Sequence, residues 1–187
     1  MTLFEYLTVA FALLYSVAAL RLIGGLSVAA SPGRRYLPHL LLIIQSLLLL
    51  ASTFWVFWSL RDVVWTFPGF LLAMLVVGAL YYCAVVLVPE DAGTTTSWRA
   101  YYFSAHRRWY GGLSTWVVAT ALNGTVNFGF PVLHPSRAMQ IVVLGLGILG
   151  VVSSSARVHA VLSVILTTTV IVASLSIMLR PDWLINL

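Results

Sequence analysis

Charge in this chain is confined to short breaks between long apolar runs, and that layout leaves few folds open to it. The ten basic residues are all arginine: Arg21, Arg34, Arg35, Arg61, Arg99, Arg107, Arg108, Arg137, Arg157 and Arg180. The acids are Glu5, Asp62, Glu90, Asp91 and Asp182. The runs between them reach the ~20 residues that a helix needs to cross a bilayer. Soluble domains are about 25% charged; here 8% of residues are charged and 61% hydrophobic. A water-soluble fold of 187 residues cannot bury that much apolar surface, so lipid must solvate much of it. The net charge of +5 lies in loops. It fits membrane orientation and contact with anionic lipid and gives no footprint for nucleic acid.

The expected fold is therefore all-α: one polytopic membrane bundle over 1–187, of about six transmembrane helices with one interfacial amphipathic helix. The spans fall near 2–23, 38–60, 63–88, 111–131, 138–155 and 158–179. Gly24-Gly25, Ser31-Pro32-Gly33, Pro89, Pro131, Pro135 and Pro181 break them. The first run lacks a basic leader and is long, so it reads as a retained helix rather than a cleaved signal. Tight connections near Arg61-Asp62 and near Arg157 make their flanking helices antiparallel neighbours.

Aromatic residues cluster at two levels and predict two interfacial belts. One holds Phe54, Trp55, Phe57, Trp58, Trp65 and Phe67; the other holds Tyr81, Tyr82, Trp98, Tyr101, Tyr102, Trp109 and Tyr110. Arginine is concentrated in the first, third and fifth connections. The positive-inside rule puts those connections in the cytoplasm and both termini in the periplasm of a bacterial inner membrane. Before the fourth span, Trp98, Tyr102, Ala105 and Trp109 share a helical face, with Ser104, Arg107 and Arg108 away from it. That pattern predicts a helix over 97–110, either lying flat on the headgroups, with Trp98, Tyr102, Trp109, Arg107 and Arg108 at the lipid interface, or standing upright as an N-terminal extension of the fourth span.

Small residues mark where helices approach one another. Gly145, Gly147 and Gly150 match a dinucleotide-binding pattern, but they lie inside an apolar run without the strand, helix and acid such a site needs. Close helix packing is the physical reading. Thr8, Ala12, Ser16 and Ala19 form a stripe on the first helix; Ala160, Ser163, Thr167 and Ser174 form one on the sixth. The pattern Leu-Val-Pro-Glu-Asp near position 90 has a short echo at Leu-Arg-Pro-Asp-Trp near 180, too brief to establish a repeat.

The strongest polar stripe is Thr120, Asn123 and Asn127, with Trp116 one turn before it. Amides within a span need partners inside the protein. They either bond neighbouring helices or line a path for a solute, with Gln45, Ser52 and Ser59 of the second helix facing them. Glu5 shares a face with Thr8 and Ala12 and is expected at the bundle edge, either as an interfacial acid or at the mouth of such a path.

Other chemistry finds little support. His39, His106, His134 and His159 are scattered at helix ends and match no metal-ligand spacing, so no metal, haem or other cofactor is expected. A retinal Schiff base needs lysine, and the chain has none. Ser153-Ser154-Ser155 with His159 lacks a third group to orient the base. Cys83 is alone and reads as a packing residue.

The segments RLIGGL, FWVFWSLRD, VLVPED and SWRAYYFSAHRRWY, in that order, resemble a group of small proteobacterial multi-pass inner-membrane proteins. The likeness covers roughly the first two-thirds of the chain. It implies a bacterial inner-membrane protein and carries over no catalytic residue. The expected function is non-enzymatic: an integral subunit or scaffold that packs with lipids, partner membrane proteins or copies of itself. The alternative is a channel or transporter for a neutral or weakly charged solute, using Thr120, Asn123, Asn127, Gln45 and Glu5. A further reading places lipid or quinone on the Trp98/Trp109 face.

Overall fold

Apolar runs that must satisfy their own backbone in lipid become helices, and the computed structural model of the protein contains six. It describes residues 3–33 and 35–179. The orientation markers Arg34 and Arg180, the breaker Pro181 and the acid Asp182 lie outside the described residues. The helices are α1 (Leu3–Ala29), α2 (Leu37–Phe57), α3 (Phe67–Leu87), α4 (Trp98–Phe128), α5 (Ser136–Val152) and α6 (Ala156–Leu179). Short 3-10 turns at Trp58–Asp62 and Ala92–Thr94 complete the second and third connections. Four apolar stretches, Phe4–Ala29, Leu37–Asp62, Phe67–Thr94 and Ala156–Ser176, are long enough to cross a membrane. Helix α5 is apolar but has 17 residues. The chain is an all-α, membrane-embedded bundle.

Local chemistry sets the helix ends. Pro68 opens α3, and its first turn is capped by Thr66, whose Oγ1 accepts from the Gly69 amide at 3.2 Å. Ser97 caps α4 the same way, accepting from the Ala100 amide at 3.3 Å. Gly129 ends α4 in the left-handed region at φ 67°, where glycine carries no Cβ penalty. The Phe130 amide then returns to the Gly124 carbonyl at 3.0 Å.

Three expectations are corrected. First, α1 does not stop at Gly24-Gly25 but runs on to Ala29. Gly25 permits close approach instead, since a Cβ there would meet the Val88 side chain. Arg21 Nε donates to the Val88 carbonyl at 2.8 Å beside it. Second, residues 97–110 form no separate interfacial helix. They begin α4, a continuous 31-residue helix of roughly 46 Å, longer than the ~30 Å hydrocarbon core. No proline interrupts it, and its aromatic face finds protein. Trp98, Tyr102, Ala105 and Trp109 are all buried in the bundle core. Arg107 and Arg108 point away from it and are exposed. The second aromatic cluster is thus largely core, whereas Phe54, Trp55, Trp58 and Phe67 of the first are exposed. Third, the small-residue stripe of α1 is not its buried face. Leu7, Phe11, Tyr15, Ala18 and Leu22 are buried, while Ser16 is exposed.

Helix α4 packs along α3 and α5, α2 packs along α6, and α1 lies against α2 and α3. The consecutive helices α5 and α6 touch only sparsely. Their splay leaves space between the α4–α5 pair and the α2–α6 pair.

Candidate functional site

That space is a cavity of about 530 Å³ in the half of the bundle away from the arginine-rich connections. All six helices reach it, among them Tyr15 of α1, Ser52 of α2, Val77 of α3, Asn123 of α4, Val143 of α5 and Ser174 of α6. Its walls are mainly apolar, with hydroxyls and amides at a few points. That combination, at a volume within the ~300–1,000 Å³ of small-molecule sites, suits an apolar or amphipathic ligand.

The polar stripe of α4 forms one wall. Thr120 and Asn123 line the cavity, as do Ser52 and Ser59 across from them. Thr120 spends its hydroxyl proton on the Val117 carbonyl at 2.8 Å. Asn127 is held behind this wall. Its Nδ2 donates to Asn123 Oδ1 at 2.7 Å and to the Gly69 carbonyl at 3.0 Å, tying α4 to the start of α3. Asn123 therefore has its oxygen engaged and its amide N–H groups left to face a ligand. Ser52 and Ser174 share a hydroxyl–hydroxyl hydrogen bond of 2.7 Å between α2 and α6. The Trp116 indole N–H, on a residue that also lines the wall, meets no acceptor among the described residues.

The rim comes from the start of α5 and the loop before it, and sequence reasoning missed it. His134, Ser136 and Gln140 line it. The His134 ring stacks flat on Phe130 at 4.1 Å. Its Nδ1 accepts from the Ser136 amide at 3.2 Å and lies 2.7 Å from the Ser136 hydroxyl. Arg137 reaches back along α4: Nη1 donates to the Ala121 carbonyl at 2.8 Å and to Gln140 Oε1 at 3.0 Å, and Nη2 to Thr125 Oγ1 at 2.7 Å. The i, i+3 spacing of Arg137 and Gln140 is the available signal, but a count of arginines by membrane side does not use it.

Several expected site residues lie elsewhere. Gln45 is fully buried on α2 away from the cavity, and neither amide atom has a partner among the described residues. Glu5 is exposed near the start of α1 and is not a wall residue. Gly147 and Gly150 do pack helices closely, but within the chain. A Cβ on Gly147 would meet Ser114 Oγ of α4, and one on Gly150 the Tyr110 ring. Gly145 faces open space.

The arginine-rich half is filled. His39, His106 and His159, expected to stay apart, converge around Tyr102. The His106 and His159 ring centroids are 4.8 Å apart, and His39 stacks on Trp98 at 4.8 Å. The hydrogen bonds have a fixed sense. His159 Nε2 donates to the Ser153 carbonyl at 3.0 Å, so its Nδ1 accepts from the Tyr102 hydroxyl at 2.9 Å. Tyr110 donates in turn to Tyr102 at 3.4 Å. Outside the spans, burial pushes the Tyr36 phenol up, opposed by the Arg99 guanidinium. Tyr36 packs edge-on against Tyr102 at 5.4 Å. This cluster closes the bundle at that end. No group of three or more metal-ligating side chains occurs among the described residues. Comparison of the chain with protein-family models, with curated proteins and with solved structures finds no match.

Proposed function

We propose that the chain is a non-enzymatic membrane-embedded binding protein that takes a small apolar or amphipathic, neutral or weakly charged molecule. The observation that carries this reading is the cavity where Thr120, Asn123, Ser52 and Ser174 meet on otherwise apolar walls. The packed aromatic–histidine cluster at the other end favours binding from one side, or laterally from lipid, over conduction through the bundle. With the arginine-rich connections in the cytoplasm of a bacterial inner membrane, the cavity opens in the periplasmic half. The test is native mass spectrometry of protein extracted gently in nanodiscs. Wild type should carry a bound small molecule that Val143→Trp, which fills the cavity, releases. A wild type that carries nothing under these conditions counts against the reading.

The integral-subunit reading retains one specific observation. Gly145 lies on an outer face of α5 with exposed Ile141, Ile148 and Val152, a shape that accepts a second helix closely. A copy of this chain is the partner proposed there.

A further inference from the structure

Two arginines from different helices converge on one tyrosine at the arginine-rich end of the bundle. Tyr101, in the first turn of α4, donates its hydroxyl proton to the Val86 carbonyl at 2.8 Å. Two residues on, the Val88 carbonyl accepts from Arg21 Nε of α1 at 2.8 Å. The end of α3 thus sets the Arg21 guanidinium beside the Tyr101 phenol. Gly25 is level with Val88, since a Cβ there would meet the Val88 side chain. Arg21 starts one turn deeper, and its stem runs outward to reach the carbonyl, as an arginine does when its head seeks the interface. Arg108 joins them from two turns further along α4. Tyr101, Ser104 and Arg108 share a helix face at i, i+3 and i+7, and Arg107 falls off it. Both guanidiniums are within electrostatic reach of the phenol: burial pushes Tyr101 up, opposed by Arg108 and then by Arg21.

Little on the protein answers these charges. Arg21 spends its Nε–H on Val88, which leaves both Nη groups. Arg108 is exposed and makes no side-chain hydrogen bond or ion pair among the described residues. Glu90 and Asp91 follow Val88 closely, yet both are exposed, and neither pairs with either arginine among the described residues. The C-terminal end of α3 offers about half a negative charge against two positive ones. The depth is that of a lipid headgroup. Val88 lies roughly 32 Å along α3 from Phe67, and Arg108 roughly 30 Å along α4 from Phe128. Those far ends are level, because Asn127 bonds the Gly69 carbonyl. Both lengths match the ~30 Å hydrocarbon core, so the two helices put Val88 and Arg108 in one headgroup plane.

From this arrangement we infer that Arg21 and Arg108 form a site for the phosphate group of an anionic phospholipid. The site lies in the half of the bundle opposite the cavity and does not depend on what the cavity binds. A phosphate recruits guanidinium forks through its non-bridging oxygens in planar, bidentate pairs. The free Nη edge of Arg21 takes one side of it and the fork of Arg108 the other, with Tyr101 and the end of α3 holding the two apart. The acyl chains have a track away from the site. Helix α3 lies between α1 and α4, and Leu71, Leu75 and Tyr82 are exposed along one face of it. Gly78, on the same face, meets nothing within 4 Å.

The experiment titrates phosphatidylglycerol against the full chain in detergent and counts bound lipid by native mass spectrometry, with phosphatidylcholine and inorganic phosphate as comparison ligands. Phosphatidylglycerol should bind more tightly than phosphatidylcholine, whose headgroup carries an opposing cation. Arg21→Gln and Arg108→Gln should each weaken it by roughly 10- to 100-fold, the loss of hydrogen bonds to a charged group. Arg107→Gln removes a like charge next door but off the Tyr101 face. It should weaken binding by no more than about fivefold, the general attraction of one arginine to an anionic surface. Arg108→Gln breaks no bond within the protein and supplies the test if Arg21→Gln, which loses the contact with Val88, fails to fold. Equal losses in all three variants would reduce the effect to general attraction and overturn the site, as would equal binding of the two lipids. Inorganic phosphate that binds more tightly than the lipid would assign a soluble phosphate and overturn the lipid source.

Discussion

The pair Asn127 and Gly69 offers a sharp test of how the polar wall of the cavity is held. Asn127→Ala removes a donor to the Gly69 carbonyl at 3.0 Å and to Asn123 Oδ1 at 2.7 Å. Interhelical hydrogen bonds in membrane bundles are worth about 0.6 to 2 kcal/mol. Losing one bond between helices and one along α4 should therefore cost ~1–2 kcal/mol. Gly69→Ala attacks the same contact from the other side. Its Cβ would fall on Asn127 Oδ1 and lie 3.1 Å from Thr66 Oγ1. The carboxamide must move away, and the same bonds are lost. Once Asn127 is alanine the carboxamide clash is gone, and what remains is the 3.1 Å approach to Thr66 Oγ1 set against alanine's helix advantage over glycine, up to ~1 kcal/mol. The double variant should thus be close in stability to Asn127→Ala alone, a coupling of ~1–2 kcal/mol. The assay is reversible unfolding in mixed micelles, followed by circular dichroism and tryptophan emission. If Gly69→Ala costs the same in both backgrounds, the wall is not held through this contact.

Two further outcomes follow from the packing. Tyr102→Phe deprives the buried His159 Nδ1 of its donor and Tyr110 of its acceptor; the same unfolding assay should register a loss of ~1–3 kcal/mol, with amphiphile binding in the opposite half unchanged. Gly150→Leu and Gly145→Leu should differ sharply: the first drives a side chain into the Tyr110 ring, should cost ~1–3 kcal/mol or more, and should speed hydrogen exchange across α5, whereas the second should leave the fold intact and reduce the size of a native-detergent oligomer. A monomer in wild type and Gly145→Leu alike would end the self-association reading.

The spans could be read from sequence because lipid leaves the backbone one option, and each apolar run had to close its own hydrogen bonds. The wall of the cavity was legible for a related reason. Thr120 and Asn123 are three residues apart and share a face of α4, while Ser52 lies on α2 and Ser59 on the 3-10 turn that follows it. What periodicity cannot supply is which faces oppose at a given depth. Gln45 is seven residues before Ser52 and on its face, yet the cavity occupies one half of the bundle and Gln45 lies in the other. The interfacial-helix expectation failed on the same ground. An aromatic stripe flanked by arginines suits a membrane surface and a protein groove equally, and the neighbours of α4 decided between them. The histidine cluster escaped because spacing along the chain was the criterion. A topological criterion would have found it: alternating helices place the starts of α2, α4 and α6 at one end, and His39, His106 and His159 lie near those starts.

Arg61 and Arg137 show how far a count of charges falls short of their function. Both belong to the arginine-poor end, and a topology rule weighs them alike. Arg61 is well exposed, pairs with Asp62 at 3.1 Å and sits over the Trp58 ring at 5.2 Å. A contact of that kind contributes little beyond local order, on the order of 0–1 kcal/mol. Arg137 has its adjacent partners on the protein side, in the carbonyl of Ala121, the hydroxyl of Thr125 and the amide of Gln140. These three bonds run between α5 and α4 and within the first turn of α5, so the side chain acts as a clamp at the helix start. The difference is not in residue type or membrane side but in what each side chain finds within reach. It is why one arginine marks a surface turn and the other ties the start of α5 to α4.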